Sequence, residues 1–180
     1  MIARRSAVLV ATVTLAAVLS ACTPAAAPTP TPTPTPTGFA SKEEAFAAAE
    51  ATYRAYVDAL NEVDLSDPAT FEPVYALMSG DAVNKERKTL SEYHAERLTV
   101  RGESKISRLE PIEWSPDANR AQLASCVDVS KVDVLDSSGR SIVDDERPDV
   151  QSVLITLDLS RHAAAFKIVS LDGRDGEPSC

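Results

Sequence analysis

The apolar residues of this chain change their spacing at Gly102, and that change restricts the fold more than composition does. Before Gly102 they recur every three or four residues, the period of a helix with one covered stripe. After it they alternate, the period of a strand with one covered face. Helical segments first and strands afterwards predict an α+β fold, with three N-terminal helices packed on an antiparallel sheet of four to six strands.

Ser41 opens the first helix, and Glu44 three residues later completes a capping-box pattern. Phe46, Ala49, Tyr53, Tyr56, Leu60 and Val63 form its inward stripe. Asp67-Pro68 reads as a cap followed by proline at the first helical position, so Pro68 to Met78 is predicted as a second helix, broken or restarted at Pro73. The third helix runs from Asp81 or Ala82 to Leu98, with Val83, Leu90, Tyr93 or His94, and Leu98 inward. Lys85-Glu86-Arg87-Lys88 reads as its solvated face, and Arg101-Gly102 as its stop. Strands are expected over Lys105 to Trp114, where Pro111 implies an edge or bulge, and over Arg120 to Leu135. A hairpin at Ser137-Ser138-Gly139-Arg140 leads into Ser141 to Asp144. Val150 to Ser160 and a last strand around Phe166, Ile168 and Val169 complete the sheet.

Thr23 to Thr37 holds six of the twelve prolines, largely as Thr-Pro repeats. Proline fixes φ and lacks the N–H donor, so the segment is excluded from helix and sheet and reads as a stiff spacer of roughly 45 Å at about 3.1 Å per residue. Ahead of it, Arg4 and Arg5 precede an apolar run from Ala7 to Leu19 that is too short to span a bilayer. Leu19-Ser20-Ala21-Cys22 then resembles a bacterial lipobox. That resemblance implies a lipoprotein signal peptide over 1–21 and a lipidated Cys22 opening a linker over 22–40. The domain over 41–180 would then be anchored through two or more acyl chains at the outer face of a bacterial cell membrane.

With Arg4 and Arg5 removed, 16 basic side chains face 27 acidic ones, a formal charge of −11. That balance argues against nucleic acid as a partner, and against a basic surface lying on anionic lipid. Of the three cysteines, Cys22 is committed to lipid, which leaves Cys126 and Cys180 as a pair in an oxidising compartment and predicts one disulfide.

The order of elements resembles the nuclear transport factor 2-like, or cystatin-like, cone fold. Tyr56-Val57-Asp58-Ala59-Leu60-Asn61 followed by Asp64-Leu65 looks like the end of the first helix in its ketosteroid isomerase branch. The Thr-Pro linker, Cys126-Val127-Asp128-Val129-Ser130 and Phe166-Lys167-Ile168 are similar to small actinobacterial lipoproteins of that superfamily. The resemblance implies a curved, cone-shaped sheet and says little of activity, since one fold hosts enzymes, binders and scaffolds. In the isomerases a tyrosine at the place of Tyr56 donates to a developing enolate while an aspartate moves the proton. Here Asp81-Ala82-Val83-Asn84-Lys85-Glu86-Arg87 holds no matching aspartate, which leaves Asp128 and His94 as the candidate partners of Tyr56.

The two histidines, His94 and His162, lie on different elements with no neighbour at metal-ligand spacing, and Asp172 to Glu177 lacks the full alternating set of a calcium loop. Phosphate-loop, dinucleotide and nucleophile-elbow motifs are missing, so no cofactor and no metal are implied. The reading is a non-catalytic module of the cell envelope that binds a small apolar ligand or an envelope protein. The alternatives are an isomerase- or dehydratase-like enzyme using the cone pocket and a structural homodimer joined through its sheet. Replacing the anchoring thiol (Cys22→Ala) is expected to shift the protein from the membrane pellet to the culture supernatant on fractionation. Retention in the pellet would contradict the anchor.

Overall fold

A computed structural model describes residues 38–160, 165–177 and 179–180. Cys22, the whole Thr-Pro tract from Thr23 to Thr37 and His162 lie outside the described residues. The described residues belong to one compact unit of the chain. In order, it contains α1 (Lys42–Asn61), a 3-10 turn (Pro68–Phe71), α2 (Glu72–Ala76), α3 (Gly80–Ala95), β1 (Thr99–Arg101), β2 (Lys105–Ser115), β3 (Arg120–Asp128), β4 (Asp133–Leu135), β5 (Val150–Leu159) and β6 (Phe166–Gly173). The class is the expected α+β, with helices packed on antiparallel sheets of four and two strands.

α1 begins where Ser41, with extended backbone, accepts a hydrogen bond from the Glu44 N–H at 3.1 Å. The Glu44 carboxylate reaches back one residue beyond the cap and accepts from the Ala40 N–H at 2.7 Å. Phe46, Ala49, Tyr53, Tyr56 and Val57 are buried, and Leu60 and Val63 are partly so. Asp67 caps the 3-10 turn by accepting from the Ala69 N–H at 3.0 Å. Pro73 falls in the first turn of α2, where a missing N–H costs no helical bond.

The larger sheet has the order β2-β3-β5-β6, antiparallel throughout. Leu123 and Val127 of β3, Ile155 and Leu157 of β5, and Phe166 and Ile168 of β6 join the α1 stripe in one core. Register shifts between Ile106 and Arg108, Pro111 and Glu113, and Thr156 and Leu157 break the ladder at three places. Such bulges bend strands and increase twist, so they curve the sheet around α1. Pro111 sits at one of them on the edge strand β2, where its missing donor is tolerated. Beside the start of α1, Phe39 and Trp114 pack on Phe166 at ring separations of 5.2 and 5.7 Å and fill one end of the core.

Three expected boundaries are corrected. α3 stops at Ala95, not Leu98, because Arg97 adopts a left-handed φ of 56°. The Leu98 N–H then donates to the Tyr93 carbonyl at 3.0 Å and the Arg97 N–H to the His94 carbonyl at 3.1 Å, a Schellman closure. Arg120 to Leu135 is two strands. At the end of β3, Asp128 Oδ1 accepts from the Ser130 N–H at 2.9 Å and from its hydroxyl at 2.6 Å. This Asx turn reverses the chain, and the Arg147 guanidinium braces it by donating to the Val129 and Val132 carbonyls at 2.9 and 2.8 Å. β4 therefore leaves the main sheet and pairs with β1, a ribbon not foreseen from the sequence. Ser141 to Asp144 forms no strand beyond a single bridge from Ser141 to Leu135. Asp136 instead gathers its turn, accepting from the Ser138 N–H and hydroxyl and from the Arg140 N–H.

Cys126 is bonded to Cys180, with Cα atoms 5.5 Å apart. Val127, its neighbour, faces the core, so the alternation of β3 puts the bond on the opposite sheet face and draws the C-terminal tail across it. Arg108 adds a hydrogen bond to the Ser179 carbonyl at 3.1 Å. Closing a loop of about 55 residues stabilises by on the order of 4 kcal/mol in the chain-entropy model. A Cys126→Ser, Cys180→Ser double variant is expected to lose about that much in denaturant unfolding. A loss under about 1 kcal/mol would show that the crosslink barely constrains the unfolded chain.

Candidate functional site

The core is closed by aromatic rings at the start of α1 but left hollow beside its last two turns. A cavity of about 320 Å³ lies between α1, α3 and the β1–β4 ribbon. Tyr56 and Leu60 line it from α1, Glu86, Leu90 and Tyr93 from α3, and Val100, Val132 and Val134 from the ribbon side. The wall depends on Gly102, whose φ of +78° suits glycine. A Cβ there would sit 1.9 Å from the Lys131 carbonyl oxygen, so only a residue without a side chain lets β1 pass this close to the turn before β4. Asn61 and Ser104 close the floor in a reciprocal pair: the Asn61 amide donates to the Ser104 carbonyl, and the Ser104 N–H donates to Asn61 Oδ1, both at 2.9 Å.

Tyr56, Leu60 and Ser104 also line a wider cleft of about 830 Å³. It opens past Val127, Val129, the start of β5 and the end of β6, with Asp172, Arg174 and Asp175 around it. This cleft is broad and solvent-facing. The smaller cavity is the better candidate, because a few polar groups converge there within apolar walls.

Burial, then the charge of Glu86, then the neighbouring Tyr53 drive the Tyr56 phenol well above its ordinary value. Tyr56 therefore stays neutral and serves as an O–H donor rather than a base. Burial also raises the Glu86 carboxyl. Tyr53 is raised by burial as well, offset in part by Ser125 beside its hydroxyl. Among the described residues Glu86 is the only carboxyl group lining this cavity.

The structure brings only one of the three proposed catalytic residues to the hollow. Tyr56 lines it as a buried core tyrosine. Asp128 lies elsewhere: Val127 and Val129 face the core, so Asp128 points the other way. Its carboxyl is held below the usual range first by the Ser130 hydroxyl and then by the Ser130 N–H. His94 also lies outside the hollow. It is exposed on α3, its Nδ1–H donates to the Leu65 carbonyl at 2.7 Å, and Phe71 meets its ring edge-on. It ties α3 to the loop after α1 and lines neither hollow. Among the described residues no cluster of three histidines, cysteines or acids could hold a metal ion.

Glu86 is half-buried in the cavity wall, not on the solvated face that its charged neighbours suggest. The signal was present: it lies four residues after Ala82 and four before Leu90, both buried, on one row of α3. Burial holds its folded-state carboxyl above the reference value of 4.5. The stability this group contributes is therefore full below that pH and falls as pH rises through the elevated folded value. Glu86→Gln is expected to unfold at nearly the wild-type temperature near pH 4 and at a higher one near pH 8, by scanning calorimetry. A constant offset across that range would mean that Glu86 is fully solvated.

No protein-family model and no curated protein sequence matches the chain. Among solved structures, the chain is similar to a putative aromatic ring hydroxylase from Novosphingobium aromaticivorans, with a TM-score of 0.51 and 12% identity over 74% of this chain and 96% of that one. It is also similar to the intermembrane space region of the chloroplast protein ARC6, with a TM-score of 0.50 and 13% identity over 69% and 92%. A protein of unknown function with a cystatin-like fold from Methylobium petroleophilum PM1 matches with a TM-score of 0.35, too low to bear on the fold, at 12% identity over 74% and 81%. At such identities the first two likenesses show the fold alone.

Proposed function

We propose that this protein is a lipid-anchored extracytoplasmic binding module of the cone-fold type, whose small cavity takes an apolar ligand. The observation that carries the reading is the cavity itself: apolar walls from three elements, with Tyr56 as a neutral donor and Glu86 as the lone carboxyl. Its volume of about 320 Å³ falls within the range of small-molecule sites. The anchor rests on Arg4, Arg5 and Leu19-Ser20-Ala21-Cys22, and the bond between Cys126 and Cys180 suits the oxidising compartment that such an anchor implies.

A second reading, proton transfer of the isomerase kind, is supported by Glu86 facing the same space as Tyr56. In it Tyr56 would donate to a substrate carbonyl and ionised Glu86 would take the neighbouring proton. The two readings separate in one set of measurements. Nile red, a neutral apolar dye, is expected to bind saturably with a blue-shifted emission. Leu60→Trp, which fills space common to both hollows, is expected to weaken it about tenfold or more without lowering the unfolding temperature by more than a few degrees. Unsaturable dye binding, or equal binding by this variant, would remove the binding reading. Catalysed deuterium uptake by a cyclic enone in heavy water, lost in Glu86→Gln, would favour the enzyme.

A further inference from the structure

We propose that the small cavity is selective for an organic cation: an amine or quaternary ammonium on an apolar body, its charge set against the Glu86 carboxylate and the rings of Tyr56 and Tyr93. This rests on the binding reading of the same cavity and names the class of ligand. Among the described residues no hydrogen bond or ion pair engages the Glu86 side chain, although it is half-buried against apolar walls. A carboxylate drawn from water without a cation is costly, and the cost is relieved when a counter-charge arrives.

Among the described residues no lysine or arginine forms an ion pair with Glu86. Arg87, the next residue, stacks its guanidinium 4.0 Å from the centre of the Tyr75 ring and reaches Glu72 at 3.6 Å. Lys88 pairs with Glu92 at 3.5 Å. Among the described residues Glu86 is the only charged side chain on the cavity wall, and the amide of Asn61 is already tied to Ser104. What remains for a ligand is one negative group, two phenols, the hydroxyls of Thr89 and Ser104, and aliphatic surface. Aromatic rings beside a carboxylate favour a weakly hydrated cation, since the ring face attracts positive charge without demanding a hydrogen bond. The net charge of −11 on the processed chain raises the local concentration of cations and lowers that of anions.

The groups facing Glu86 also set the pH response. They are Tyr56 from α1, Tyr75 from α2 and Tyr93 from α3 itself, all phenols, with Val100 and Val134 of the ribbon opposite. Burial holds Tyr56 and Tyr75 above the ordinary phenol value, so both stay protonated near neutral pH. Glu86 must give up its proton to hold the cation, so affinity rises with pH through its titration.

The test uses phenyltrimethylammonium and its neutral isostere tert-butylbenzene, each displacing Nile red from the folded protein at constant ionic strength. The cation is expected to bind about tenfold more tightly at neutral pH, a preference that shrinks on acidification and disappears in Glu86→Gln while the isostere keeps its affinity. Equal affinities for the two probes, or a cation preference that survives Glu86→Gln, would overturn the inference and leave the apolar-binding reading standing. Failure of Nile red and both probes alike would overturn both.

Discussion

The seating of α1 in the curve of the main sheet is the contact on which the other features depend. Ala45 and Ala49 are fully buried, which lets the helix backbone approach the strands, and Phe46, Tyr53, Tyr56 and Val57 then fill the remaining depth. A flat sheet could not wrap that stripe, so the register shifts in β2 and at the β5–β6 pair are part of the same contact. The helix is filled in at its first turn by Phe39, Trp114 and Phe166. At its last turns it meets no comparable plug, and the hollow beside Tyr56 and Leu60 is the consequence.

Whether that hollow becomes a cleft or a walled cavity is decided at a turn. Asp128 and Ser130 stop β3, Arg147 ties the stop down, and the chain is sent out to pair with β1 across Val100 and Val134. Without this departure a longer β3 would stay in the main sheet and α3 would face solvent where it now faces Val132 and Val134. The same five residues, Cys126 to Ser130, therefore serve three ends. Cys126 fixes the tail on one face, Val127 packs the other, and Asp128 with Ser130 redirects the chain. Asp128 Oδ1 is thereby engaged in the turn and directed away from the core.

The polar groups near the cavity divide by whether their bonding is already satisfied. Asn61, Ser104 and His94 are committed to backbone groups that hold loops in place. Tyr56 and Glu86 are not, and both sit where water is scarce, so burial raises both. Polar side chains left in that condition on an apolar wall are where a fold departs from the arrangement stability alone would choose.

The amino-acid sequence by itself determined the elements whose signals are local. Ser41 and Glu44 mark a helix start through bonds within one turn, the spacing from Phe46 to Val63 defines a buried stripe, and the alternation from Val153 to Leu159 defines a two-faced strand. It also placed Tyr56 inside and paired Cys126 with Cys180. It did not disclose β1, β4 or the reach of α3, because a Schellman closure on a left-handed arginine and a three-residue ribbon carry almost no periodicity. Glu86 was hidden for another reason. Its charged neighbours suggest water, and only the distant ribbon, brought opposite α3 by the turn at Asp128, takes the water away. Burial of a single side chain is a property of what the fold sets against it, and that is decided in three dimensions.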